Sequence, residues 1–144
     1  MSNKEDLILE EYKLYVGTAE KVSDRRHSTN SYFLTINSVV LGLSGYFIAS
    51  GMKAMYIAIP VIGLLISILW FEMICNYRRL NKAKFDVIHE IEKRLPISLF
   101  KMEQDILERS KYRKLSKIEN CVPLVFLIFY LAILAFTLSA YIKL

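Results

Sequence analysis

The sequence predicts an all-α, polytopic membrane protein: three transmembrane helices, a cytoplasmic layer of amphipathic helices, and an oligomeric ring as its assembled form. Three observations carry this reading. Hydrophobic residues fill 54% of the 144 positions, with a mean hydropathy of +0.33, which is more apolar surface than one soluble core of that size hides. Three charge-poor windows, 32–50, 55–75 and 122–142, have the length of about 20 residues that crosses a hydrocarbon layer of about 30 Å. Basic residues are unevenly shared: five in residues 1–31 and twelve in 76–120, against Lys53 and Lys143 in the other flanking segments. The positive-inside rule then places the N-terminus and the middle segment in the cytoplasm, with the C-terminus on the far side of the membrane.

Residues 1–31 form the first cytoplasmic element. Ile8, Tyr12, Tyr15, Ala19 and Val22 recur every three or four positions, the stripe of an amphipathic helix. Nothing stops this helix before Tyr32, so it is expected to run on into the first span. That span begins too late in the chain for the apolar core of a secretory signal peptide. Residues 32–75 are read as a transmembrane hairpin, 32–50 and 55–75, whose link "GMKA" exposes almost nothing outside. Trp70, Phe71 and Tyr77 resemble an aromatic belt at the cytosolic interface.

The segment 76–121 is cytoplasmic and helical in pattern. Tyr77, Leu80, Ala83, Val87, Ile88, Ile91 and Leu95 form a second stripe, ended where Pro96 biases Leu95 away from helical angles. A further helix is expected from near Ser98, carrying Leu99, Met102, Ile106, Tyr112, Leu115 and Ile118. Residues 122–144 hold the third span. So many apolar stripes on so small a layer predict burial against neighbouring copies, economically in a closed cyclic assembly.

Chemistry-bearing motifs are few. "HEIEK" at 89–93 starts like a zinc-protease signature but carries Lys93 where the second histidine belongs. The five glycines build no phosphate-binding loop, and no nucleophile elbow occurs. Cys75 and Cys121 lack nearby histidines and read as reduced cytosolic thiols, not metal ligands. No enzyme activity, cofactor or metal is expected. The net charge of +5 is concentrated in the middle segment, with twelve basic against seven acidic residues. Anionic lipid headgroups account for Arg78, Arg79, Lys111, Arg113, Lys114 and Lys117, so a nucleic-acid partner is not invoked.

Within the spans, Thr35, Asn37, Ser38 and Glu72 are the polar residues to explain. The first three are expected to face protein or water, in a bundle, at a subunit contact or along a pore. Glu72 lies one turn from the cytosolic end of its span, where it either pairs with a nearby arginine or serves as a pore-mouth carboxylate.

Two stretches, "YKLYVGTAEKVSDRRHSTNSYFLTIN" at 12–37 and "YRRLNKAKFDVIHEIEKRLP" at 77–96, resemble the RipA family of small bacterial cytoplasmic-membrane proteins, described as octameric. Tyr12, Tyr15, Ala19, Glu20, Ser23, Asp24, Arg25 and Arg26 fall on the first motif. Asn81, Ala83, Lys84, Phe85, Val87, Ile88, His89, Glu90, Leu95 and Pro96 fall on the second. The resemblance implies a homo-octamer in the bacterial inner membrane, with the C-terminus then periplasmic or extracellular, and brings no defined biochemical activity. It suggests an assembly seam in which Asp24, Arg25 and Arg26 meet the helix carrying Asn81, Lys84, His89 and Glu90. The expected function is that of a non-enzymatic membrane scaffold or envelope-associated platform, with self and anionic lipids as partners and any cytoplasmic protein partner unidentified. The competing reading is an ion channel or pore-forming effector gated through its cytoplasmic helices.

Overall fold

The computed structural model describes residues 3–110 and 119–142. Among these every regular element is α-helical: α1 (Asn3–Ala49), α2 (Met55–Glu92), α3 (Leu99–Arg109) and α4 (Cys121–Ile142). Three of them, α1, α2 and α4, are long and apolar enough to cross a membrane. The chain is therefore a membrane protein on length and composition, as the apolar windows predict.

Helix α1 is one uninterrupted element of 47 residues, as expected from the lack of any proline before the hairpin. It ends where Gly51 takes a φ of 76°, a left-handed conformation that favours glycine. The amide of Ser50 donates to the Tyr46 carbonyl at 2.9 Å, and the Tyr56 hydroxyl donates to the Ile48 carbonyl at 3.2 Å. These bonds use carbonyls that the end of α1 leaves without a helical partner. Helix α2 joins the second span and the 77–91 stripe in a single helix. It stops at Glu92, three residues short of Leu95. The amides of Arg94 and Leu95 close tighter turns onto Ile91 and Glu92, because the following Pro96 disfavours the helical conformation at Leu95. Helix α3 starts one residue after Ser98, while Tyr112, Leu115 and Ile118 lie outside the described residues.

The chain divides into two compact units. The first combines α1 up to His27 with α2 from Asn76 and with α3. Its core is small: Ala19, Val22 and Ile88 are buried, and Phe100 packs edge-on against both Tyr12 and Phe85, with centroids 6.5 and 5.6 Å apart.

The second unit combines α1 from Ser28, α2 up to Cys75, and α4. Its interior holds Asn37, Ser44, Ser67, Trp70, Ile74, Tyr130 and Thr137, while Leu34, Leu43, Ile62, Leu65, Ile128 and Phe136 point outward. Polar side chains inside and large aliphatic ones outside is the arrangement that a hydrocarbon surround selects. Trp70, expected in an aromatic belt, is instead 2% exposed. Its indole N–H donates to Asn30 Oδ1 at 3.0 Å, and its ring stacks on Phe33 at 6.0 Å. A buried indole needs such an acceptor.

Helix α4 seats the Tyr130 ring directly against Gly63 of α2. Any Cβ at position 63 would overlap that ring, which is rigid and itself fully buried. Gly63→Ala should therefore destabilise the bundle by about 1–3 kcal/mol through overpacking, measured as a lower thermal midpoint in detergent. An unchanged midpoint would show that the α2–α4 contact is looser than this.

Candidate functional site

Two constellations stand out, one in each unit. In the second unit, Asn37 is fully buried and joins all three helices. Its Nδ2 donates to the Phe33 carbonyl one turn back, at 2.9 Å. Its Oδ1 accepts from the Ser67 hydroxyl of α2 at 2.8 Å, and its backbone carbonyl accepts from the Tyr130 hydroxyl of α4 at 2.8 Å. Phe126, one turn before Tyr130, tilts between Tyr130 and Trp70 and walls the node with aromatic surface. The arrangement can hold three helices in register. No titratable group other than Tyr130 takes part, so it offers no acid–base pair.

In the first unit, the carboxylate of Glu92 is 1% exposed. Its Oε1 accepts from the Phe100 amide at 2.8 Å and from the Tyr12 hydroxyl at 3.1 Å, and its Oε2 accepts from the Lys101 amide at 3.3 Å. Ser98 stands at the N-cap of α3 but makes no capping bond with its side chain. Glu92 does that work from the end of α2, where its negative charge also faces the positive end of the α3 dipole. Burial, and then the hydrogen bond and charge of Glu92, push the Tyr12 phenol from 10.0 up to about 12. A phenol raised in this way stabilises the fold fully below pH 10, and that contribution is lost as pH rises toward 12.

The residues singled out from sequence separate into several environments. Thr35 and Ser38 are exposed on α1, each donating to the carbonyl four residues earlier, Ser31 at 2.9 Å and Leu34 at 2.8 Å. Asn37, between them in sequence, is turned inward, so the three do not form one lining. Glu72 is exposed on α2. Asp24 and Arg25 are exposed, and Arg26 is half-buried and has an interaction partner. Asp24 borders an open cleft of about 340 Å³ shared with Glu20, Ser23, Phe85 and Phe100. Lys84 donates to the Thr18 hydroxyl at 2.9 Å and lies 4.8 Å above the Tyr15 ring. Asn81 is half-buried, its Oδ1 enclosed without a donor.

His89 is half-buried and Glu90 exposed. Glu90 accepts a 2.6 Å bond from Lys93, which holds its carboxyl below the usual range. Arg78 is half-buried and has an interaction partner, Arg79 is exposed, and Lys111, Arg113, Lys114 and Lys117 lie outside the described residues. Among the described residues no group of three or more His, Cys, Asp or Glu side chains converges as a metal site.

Sequence reasoning passed over Glu92, Ser67, Tyr130 and Asn30. A signal existed for Glu92, which falls four residues after Ile88 on the inward phase of the α2 stripe. None existed for Ser67 and Tyr130, because only the packing of α2 and α4 against α1 selects them.

Asn37→Leu should lower stability by about 1–3 kcal/mol, since it leaves the buried Ser67 hydroxyl without its acceptor. Tyr130→Phe, which removes one interhelical bond and keeps the ring, should lower it by only about 0.6 kcal/mol. Denaturation in detergent checks the order, and equal losses would contradict the node. Glu92→Ala should free α3, seen as rapid proteolysis within residues 93–110. It should also bring Tyr12 ionisation below 12 but not down to 10, because burial remains. Protease resistance equal to the parent would refute the capping role.

No curated protein and no solved structure matches the chain. A protein-family model does, that of the octameric membrane protein family (8xMP), over residues 9–139. This match takes in α2, α3 and nearly all of α1 and α4. It agrees with the octameric family that the 12–37 and 77–96 motifs suggest, and with oligomeric assembly. The chain belongs to the octameric membrane protein family.

Proposed function

We propose that the chain assembles as a homo-octameric ring in the bacterial inner membrane, with its N-terminus and the 76–120 segment in the cytoplasm, and serves as a non-enzymatic membrane scaffold. The family's octameric description supports the subunit number. The lysine and arginine bias of the flanking segments supports the orientation. Anionic headgroups are the natural partners of Arg79 and of the basic cluster before the third span.

The closed hydrogen-bond set of Asn37 carries the scaffold reading. Ion selectivity in a pore is built from carbonyl or charged groups directed at its axis. Here the most polar side chain of the first span is enclosed in its own protomer, and the hydroxyls of Thr35 and Ser38 return to their own helix. One observation favours the channel alternative: Glu72 is an exposed carboxylate in a span, where an ionisable group is a functional candidate by default.

Single-channel recording of the purified octamer in planar bilayers, alongside Glu72→Gln, separates the two. Silence from an assembly verified by native mass is the expected result. Reproducible current that changes in the Glu72→Gln variant would overturn the scaffold reading.

A further inference from the structure

Helix α3 touches its own unit almost entirely through its first turn, where Phe100 and the two amides bonded to Glu92 hold it. No residue of the helix is buried. Leu99, Met102 and Ile106 are 61%, 55% and 62% exposed, and their i, i+3, i+7 spacing puts them on one face. An isolated helix of 11 residues is marginal in water, so this apolar face calls for a cover. The remaining positions of α3 bear Glu103, Asp105 and Glu108 against Lys101 and Arg109. That acidic balance suits a basic protein surface better than anionic headgroups.

A matching surface exists on α2. Leu80 and Val87 are 47% and 41% exposed and share a face with the half-buried Ile91, at i, i+7 and i+11. Val87 and Ile91 also line a shallow cleft of about 310 Å³ with Asp86, Glu90 and Arg94. At 100° per residue Lys84 and Arg94 flank the stripe most closely, one on each side, while Glu90, further round, is paired with Lys93. Lys84, beside the stripe, has a hydroxyl and a ring as partners in its own protomer, with no carboxylate among the described residues.

The α3 of the same chain is anchored through Phe85 and Glu92. At 100° per residue these lie roughly 120° around α2 from the stripe, so α3 cannot also cover it. Two different exposed apolar faces, on a chain of an octameric family, meet the requirement of a head-to-tail contact that closes a ring.

We infer that the Leu99–Met102–Ile106 face of α3 in one subunit docks on the Leu80–Val87–Ile91 stripe of α2 in the next, with Glu103 and Asp105 at the edges of the α3 face opposite Lys84 and Arg94. This rests on the octameric reading above and names the surfaces that produce it.

Disulfide trapping in membranes tests it, in a Cys75→Ser, Cys121→Ser background. Val87→Cys is combined in turn with Leu99→Cys, Met102→Cys and Ile106→Cys, and each single variant is also oxidised alone. The expected result is a ladder of covalent oligomers up to eight from at least one double variant, with no dimer from any single variant. Dimers from a single variant would mean a two-fold contact and would overturn the inference. No ladder from all three pairs, with native mass still at eight subunits, would overturn the docking surfaces and leave the octamer standing. A monomeric native mass would overturn both.

Discussion

Inside a hydrocarbon layer no water is available to a polar group, so each must be satisfied by the protein. Asn37 is where this constraint acts most strongly. Its side chain ties α1 to α2 through Ser67, and its backbone carbonyl ties α1 to α4 through Tyr130. Those bonds fix the rotation of each helix, because a turn of either α2 or α4 would leave a buried hydroxyl without a partner. The close approach of Tyr130 in turn depends on the missing side chain of Gly63. Trp70, Phe33 and Phe126 fill the space around the node. The outer surfaces of these helices are left apolar as a consequence.

The unit outside the apolar windows solves a different problem. A short connection after α2 has to start a new helix, and the local candidate for a cap, Ser98, does not provide it. The Glu92 carboxylate, buried beside Tyr12, accepts the first free amides of α3 instead. A buried carboxylate with three donors is tolerated where an unpaired one would not be. This ties α3 to α1 and α2 at one end only and leaves its Leu99, Met102 and Ile106 uncovered. In the docking inferred above, that surface is covered by the next subunit.

Both constellations are structural in character. Asn37 and its partners set helix register, and Glu92 sets the position of α3. Neither brings a nucleophile, a base and an acid together, and both sit within single units of one chain. The scaffold role proposed above draws on these two constellations, whose polar groups hold helices in place. Glu72, exposed on α2, is the group on which the channel alternative depends.

The sequence by itself determined the helical class, the three apolar helices and the octameric family. Helix periodicity and span length are local properties, and the 12–37 and 77–96 motifs are contiguous in the chain. Continuity of α1 was legible because nothing between Tyr12 and Tyr32 interrupts it. The junction of the second span with the 77–91 stripe in one helix was not read from the sequence and is seen only in the structure. The tertiary structure alone decided which polar residues are inside. Thr35, Asn37 and Ser38 are indistinguishable by composition, and only the positions of Ser67 and Tyr130 turn Asn37 inward while its neighbours bond to their own helix. The same holds for Trp70, which reads as an interfacial residue until Asn30 supplies its acceptor, and for Glu92, one acidic residue among seven in its segment until α3 places two amides against it. Burial of a polar side chain depends on where its partner lies in space, and the Ser67 partner of the Asn37 side chain is 30 residues away, beyond the reach of any local pattern.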